Sequence, residues 1–183
     1  MPTAFSPDRY GLALDLAARA HAGQLVPGTQ HPYLVHLVSV SAEVTAAALS
    51  GRDEFDVELA VLCALLHDVL EDTQTPPSEV ERLLGPRVLA GVQALTKDLS
   101  LPKPQQMPDS LARILLQPLE IARVKLADRI NNLQAPPSYW TRERCTAYRE
   151  EAQRILDTLG HASGPLAQRL AERIESYRVY TLA

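Results

Sequence analysis

Hydrophobic residues recur every three to four positions along nearly the whole chain, a spacing that predicts α-helices. Prolines, glycines and capping residues divide the pattern into segments. The predicted helices span about residues 7–23, 33–50, 56–70, 77–85, 86–95, 109–134 with an interruption at Pro118, 138–159 and 165–180. The two-residue alternation of strands is missing, so the sequence predicts an all-α fold, a single-domain bundle of about eight to ten helices.

The limits of these segments follow from local residue chemistry. Ser6 is a predicted N-cap with Pro7 at the first helical position, Gly51 is predicted to end the second helix, and Ser138 is predicted to cap a long helix. Residues 24–32 and 98–108 are predicted loops. One domain is expected over 1–183, with its core at about 6–160 and a C-terminal helix at about 165–180.

Composition and charge narrow the function classes. The 183 residues carry a net charge of −4, which excludes a domain-wide basic surface for nucleic acid but leaves room for a local basic pocket. The longest apolar run, 59–66, is too short to span a bilayer, and the N-terminus has no secretory signal pattern. Cys63 and Cys145 lie far apart and predict free thiols. We therefore expect a cytoplasmic protein without nucleic-acid or membrane partners; the oligomeric state stays open.

An apolar helix is predicted to end in a group of ionisable residues. His67 and Asp68 are followed four positions later by Glu71 and Asp72, which places two polar stripes one helical turn apart. A solvated helix end is the simpler interpretation. The repetition of acidic groups beside a histidine also suits a metal or catalytic site.

Two further segments carry candidate chemistry. Lys125, Asp128 and Asn132 share one face of a predicted helix, which suits either a surface helix with salt bridges or a site for a metal and an anion. His36 follows the turn at Pro32-Tyr33 and begins an apolar helix. By itself His36 would more often be a core or capping histidine.

Taken together, these segments predict a metal site. His36, His67, Asp68 and Asp128 form a set of two histidines and two carboxylates from three helices. Mixed nitrogen and oxygen ligands favour manganese, iron or zinc over calcium. Four protein ligands would leave positions for water and for a phosphate oxygen.

The sequence resembles the HD-superfamily phosphohydrolases, and more closely the small alarmone hydrolases that are related to the hydrolase domain of bifunctional (p)ppGpp synthetase/hydrolases. The resemblance covers about residues 9–160 and rests on motifs that occur in the same order and at matching separations. These motifs are Ala20-His21-Ala22-Gly23-Gln24, Pro32-Tyr33-Leu34-Val35-His36, residues 67–73, Thr96-Lys97, Leu101-Pro102-Lys103, residues 124–132, and Trp140 with Arg144 and Tyr148.

The resemblance implies a role for each matching residue. It implies one manganese ion per chain, held by His36, His67, Asp68 and Asp128, with a water that Glu71 and Asp72 position and deprotonate. Asn132 and Lys125 match site positions beside the metal, where Asn132 is expected to take part in catalysis and Lys125 in binding the polyphosphate. Lys103, Arg144 and Tyr148 match positions that hold substrate phosphates. The simpler alternatives are a solvated loop charge for Lys103 and a helix-surface pair for Arg144 and Tyr148.

The implied activity is manganese-dependent hydrolysis of the 3′-pyrophosphate of guanosine tetra- or pentaphosphate, which gives GDP or GTP and pyrophosphate. The sequence departs from the family pattern at Val26 and Pro27, where a basic pair commonly contacts the base, and at Asn131, where the bifunctional enzymes commonly carry histidine. Three alternatives therefore stay open: the same reaction on adenosine alarmones or other nucleotides, hydrolysis of other phosphoesters, and a sensor that binds without cleaving.

Overall fold

The structure is a computed structural model that describes residues 5–50 and 55–182, so the predicted helix end at Gly51 lies outside the described residues. The described part contains ten α-helices and two short 3-10 helices, at 160–162 and 178–180. The α-helices are α1 (Pro7–Ala20), α2 (Leu34–Ser50), α3 (Val57–Leu66), α4 (Val69–Asp72), α5 (Pro77–Leu84), α6 (Pro86–Leu95), α7 (Lys103–Ile114), α8 (Leu119–Asn132), α9 (Arg142–Leu159) and α10 (Gly164–Tyr177).

Helix α3 forms the centre of the bundle. Every residue from Glu58 to Leu66 is buried, and the helix packs against α1, α2, α6 and α8. Helix α6 approaches closely because Gly91 has no side chain: a Cβ there would lie 2.5 Å from Ile121 Cδ1 and 2.8 Å from Cys63 Sγ. The sequence prediction of a central, wholly apolar helix is confirmed.

Helix α8 is the second buried helix and supplies the other side of the functional region. Its residues from Glu120 to Ile130 are all buried, including charged ones, under α2, α3, α9 and α10. The alternative of an amphipathic surface helix is therefore excluded for α8. Charged side chains at this depth need partners, because an unpaired buried charge is strongly unfavourable.

The predicted helix over 56–70 is interrupted in the structure. Helix α3 ends at Leu66, His67 follows it, and Asp68 has φ −103° and ψ −3°, after which the short α4 begins at Val69. Hydrophobic spacing did not reveal the interruption, because a buried Val69 is compatible both with one continuous helix and with two helices separated by a turn. The break places His67 and Asp68 between two helices.

The prediction of a loop over 98–108 is wrong for residues 103–108, which are helical. Helix α7 begins at Lys103 and includes Pro104 and Pro108. A proline in the first helical turn removes no helical hydrogen bond, and one further along removes a single bond. Helix α9 is capped by Thr141, whose hydroxyl accepts from the Arg144 amide at 3.3 Å, and not by Ser138.

Other boundaries agree with the sequence. Ser6 caps α1, the helical segment is interrupted before α8 at Pro118, and Pro165 lies in the first turn of α10. Within the described residues the only strand-like pairing is an isolated antiparallel bridge between Leu25 and Pro32. The all-α prediction is confirmed. None of the helices in this part of the chain combines the length and apolar character needed to span a bilayer.

Candidate metal centre and adjoining cleft

Three buried side chains from three parts of the bundle converge on one point. His36 lies in the first turn of α2, His67 directly follows α3, and Asp128 lies in α8. Their candidate ligand atoms all lie within 4.8 Å of one another. The Nε2 atoms of the two histidines are 3.2 Å apart, and each lies 3.5 Å from Asp128 Oδ1.

The orientation of both imidazoles suits a bound cation. His67 Nδ1 donates to the carbonyl oxygen of Ala64 at 2.8 Å, and His36 Nδ1 lies 2.7 Å from Asn131 Oδ1. An oxygen acceptor at Nδ1 keeps the hydrogen on that atom and leaves the Nε2 lone pair of a neutral ring free. Both lone pairs therefore point to the same place, where a cation would bind both.

Asp68 lies at the edge of this cluster. Its Oδ2 atom is 3.0 Å from His67 Nε2 and 3.7 Å from His36 Nε2, and the side chain is 19% exposed. The Tyr33 hydroxyl donates to the same oxygen at 2.6 Å, while the Tyr33 ring stacks on His21. Sequence reasoning gave Tyr33 no role, although it lies in the quoted motif that ends at His36.

The ionised carboxylates of the cluster favour a positive charge between them, either a proton on His67 or a bound cation. Burial lowers the pKa of His67, but the Asp68 and Asp128 carboxylates outweigh it and raise that pKa well above its ordinary value. Burial acts to raise the pKa of Asp128, yet Lys125 and the two histidines hold it well below the usual range. Burial also acts to raise the pKa of Asp68, but the neighbouring histidines lower it. Asp68 and Asp128 are thus both ionised in a largely buried pocket, an environment that suits a metal ion.

Asp128 is oriented by its own helix. Lys125 Nζ donates to Asp128 Oδ2 at 3.0 Å, and Asn132 Nδ2 donates to Oδ1 at 2.5 Å. The predicted shared face of these three residues is confirmed. Lys125 is only 6% exposed, so its ammonium group compensates the carboxylate and does not face the solvent.

The two acidic residues of α4 have different surroundings. Glu71 accepts from Lys97 twice: Nζ donates to Oε1 at 2.7 Å and the backbone amide to Oε2 at 2.8 Å. The Asp72 carboxylate has no hydrogen-bond partner among the described residues, and its side chain is exposed. Gln24 Nε2 donates to the Asp72 carbonyl oxygen at 2.9 Å and fixes the backbone there.

A cleft of about 150 Å³ opens beside His36. Its walls come from the 26–29 loop, the end of α8 and an aromatic group. The lining residues are Val26, Pro27, Thr29, His36, Asn131, Asn132, Gln134, Ala135, Pro136, Pro137, Trp140, Tyr148 and Tyr177. A larger cavity of about 600 Å³ beside Glu43 and Arg169 lacks this metal cluster, so the smaller cleft is the better candidate for substrate.

The aromatic wall of the cleft is held by cations. Tyr148 meets Trp140 edge-on with ring centroids 5.1 Å apart, and the Arg144 guanidinium lies over Trp140 at 4.1 Å. The buried Arg129 lies over Tyr148 at 4.3 Å and donates to Glu151 at 2.6 Å. Lys103 is exposed at the start of α7 and is not among the residues that line this cleft.

The chain is similar to known proteins over most of its length. The HD domain family matches residues 13–165. The guanosine-3′,5′-bis(diphosphate) 3′-pyrophosphohydrolases MESH1 of Drosophila melanogaster and Homo sapiens are each 32% identical. The alignments cover 87% of this chain and 89% of the fly protein, and 86% and 88% for the human protein.

Solved structures give the same result. A structure reported as a metazoan ortholog of SpoT that hydrolyzes ppGpp superposes with a TM-score of 0.82 at 29% identity, covering 95% of this chain and 98% of that one. The Listeria monocytogenes protein lmo0812 shares the fold, with a TM-score of 0.64 at 20% identity. This chain belongs to the HD domain family, in the group that contains the MESH1 proteins.

Proposed function

We propose that this protein is a metal-dependent alarmone hydrolase that removes the 3′-pyrophosphate from guanosine tetra- or pentaphosphate and releases GDP or GTP. The observation that carries the proposal is the convergence of His36, His67 and Asp128 beside an aromatic cleft. The relatives named as 3′-pyrophosphohydrolases align over nearly their whole length, which supports the same reaction here.

The HD domain implies a divalent metal, and the residues present fit one. His36, His67 and Asp128 would hold it from the interior, and Asp68 from the edge of the cluster. Two imidazoles with two carboxylates suit manganese, which we propose as the working ion. A divalent ion bound here supplies a Lewis acid that polarises phosphate and lowers the pKa of water.

The residues around the cluster divide the remaining tasks. Glu71 and Asp72 lie one turn beyond His67 and Asp68, where they would orient and deprotonate the attacking water. Asn132 keeps Asp128 in place. This position of α4, at the rim and not in the core, lets its carboxylates meet a substrate.

The cleft would hold the nucleotide. We propose that the base contacts the part of the Tyr148 ring that lines the cleft, and that Arg144 and Lys103 approach the phosphates from exposed positions. Because Lys125 is paired with Asp128 in the interior, its contribution to substrate binding would be indirect, through that carboxylate.

Adenosine alarmones are a second candidate substrate, for a specific reason. The cleft wall carries Val26 and Pro27, which offer neither a cation nor a side-chain hydrogen bond. Thr29 is engaged in its own turn, since its hydroxyl donates to the Val26 carbonyl and accepts from the His31 amide, both at 3.0 Å. Stacking on an aromatic ring accepts any base, whereas sharp discrimination needs polar partners.

A nucleotide panel tests the proposal. Purified protein is freed of metal, reconstituted with manganese, and incubated with guanosine and adenosine tetraphosphates, GTP and a simple phosphomonoester. We expect pyrophosphate release from both alarmones, within about tenfold of each other or roughly 1.4 kcal/mol. Binding without release would favour a sensor, and preferential cleavage of the monoester would favour a general phosphohydrolase.

A further inference from the structure

Lys97 joins the end of α6 to the acidic pair of α4. It follows Thr96, the C-cap of α6, and both of its polar groups contact Glu71, as described above. The segment is held in place: Thr96 Oγ1 donates to the Val92 carbonyl at 2.9 Å, and Arg113 Nη2 donates to the Thr96 carbonyl at 2.8 Å. The backbone next to Lys97 is therefore fixed, and Lys97 contacts Glu71 from that fixed position.

The contact constrains Glu71 strongly. Each carboxylate oxygen accepts one bond, and the ammonium group makes its bond charge-assisted. The Lys97 side chain is 31% exposed and that of Glu71 14% exposed, so the pair is partly shielded from water. Because the two bonds occupy both carboxylate oxygens, they fix the Glu71 carboxylate in rotation.

Asp72 has the opposite character. No donor among the described residues binds its carboxylate. Its backbone carbonyl accepts from Gln24, and its backbone amide donates to the Asp68 carbonyl at 2.9 Å. Partial burial and the negative charges of Asp68 and Glu71 raise the pKa of Asp72, while Lys97 opposes this. A carboxylate whose lone pairs are free, next to one that is fully occupied, is suited to accept a proton.

We propose that Lys97 is a positioning residue that holds Glu71 as a fixed acceptor for the attacking water and leaves Asp72 as the carboxylate that takes the proton. The inference rests on the proposed function. In the step, water gives one proton to Asp72 and its oxygen bonds to the 3′-phosphorus. The bond from that phosphorus to the ribose 3′-oxygen breaks, and the 3′-oxygen takes the proton from Asp72 and leaves as the hydroxyl. The second proton of the water stays with the released pyrophosphate.

The test begins with two substitutions of Lys97. Lys97→Met removes the ammonium group but keeps the side-chain length and the backbone amide, whereas Lys97→Arg keeps the charge. We expect Lys97→Met to lower kcat roughly 10- to 100-fold, with KM within about twofold and unchanged metal content, because the contact acts on transition-state geometry. Lys97→Arg should recover most of the loss.

A double variant separates positioning from a merely structural role. In a Glu71→Gln background, Lys97→Met should reduce kcat by less than about threefold, since the two residues act as one unit. Arg19→Met removes a cation paired with Asp15 on the surface of α1 and is the matched control, with wild-type kinetics expected.

Three results would overturn the inference. Additive losses in the double variant would show that Lys97 acts apart from Glu71, and a raised KM with normal kcat would make it a phosphate contact. Wild-type kinetics in Lys97→Met would show that the Lys97–Glu71 contact is an ion pair without a role in catalysis. Failure of the wild-type protein itself to release pyrophosphate would instead refute the proposed function, so the two failures are distinguishable.

Discussion

Removing the metal is expected to lower the free energy of unfolding of this protein, by an amount set by the affinity of the candidate ligands for the metal. The cluster of His36, His67 and Asp128 is buried and assembled from three separate parts of the chain, so it exists only in the folded state. A ligand that binds the native state alone stabilises it by mass action. Treatment with chelator should therefore lower the melting temperature.

The magnitude follows from the affinity and the chain length. At a free metal concentration about 1,000 times Kd the stabilisation is about 4.1 kcal/mol. For a chain of this size 1 kcal/mol corresponds to about 2–4 °C, so the metal-induced shift should be roughly 8–16 °C. Differential scanning fluorimetry with and without added manganese measures the shift, and metal analysis gives the stoichiometry.

Ligand variants should abolish the shift. His67→Ala also leaves a cavity, so the quantity to compare is the metal-induced increment and not the absolute melting temperature. Asp128→Asn keeps the side-chain shape and an acceptor for Lys125, so it should lower metal-free stability by less than the roughly 3–5 kcal/mol of a broken buried ion pair. His161→Ala, at an exposed histidine, is the control. An equal increment in all four proteins would refute the cluster as the metal site.

Three further outcomes are expected. Asp72→Asn should retain metal and lower turnover roughly 10²- to 10⁴-fold in steady-state assays, the range for loss of a general base, and near-normal turnover would contradict that role. Tyr33→Phe should weaken metal affinity roughly 10- to 100-fold in titrations, because its hydroxyl bonds a ligand carboxylate; unchanged affinity would exclude this. Val26→Arg with Pro27→Lys should lower KM for alarmones about fivefold, as expected for roughly 1 kcal/mol of cation–π contact, whereas an unchanged KM would place the base elsewhere.

Local spacing predicted much of the candidate centre. His67, Asp68, Glu71 and Asp72 lie within one short segment, so their closeness follows from their spacing, although the continuous helix predicted over 56–70 is interrupted at His67 and Asp68. The alignment of Asp128 with Lys125 and Asn132 has the same origin. Proximity of these two segments to His36 was inferred from the ligand chemistry of the set and from the family resemblance, because spacing within one helix carries no information on the packing of helices.

The partners that orient the centre were not predictable in this way. Asn131 binds His36 across 95 positions of sequence separation, and Lys97 binds Glu71 across 26. Asn131 and Lys97 both lie in motifs of the family resemblance, and the sequence gives no other indication of these contacts. The start of α7 was missed because three prolines in residues 98–108 resemble a loop, although a helix accepts proline in its first turn.

The charges at the centre explain how an acidic protein would bind a polyanion. Asp68, Asp128, Glu71 and Asp72 contribute four negative charges, and the two nearby ammonium groups, on Lys97 and Lys125, are each bonded to one of these carboxylates. Neither lysine is left to neutralise phosphate. With both imidazoles neutral, as metal binding requires, the remaining charge of about −2 would repel it. A divalent ion brings the sum to zero. Substrate affinity and chemistry at this site would then depend on the same ion, whereas the exposed Arg144 and Lys103 would only adjust affinity.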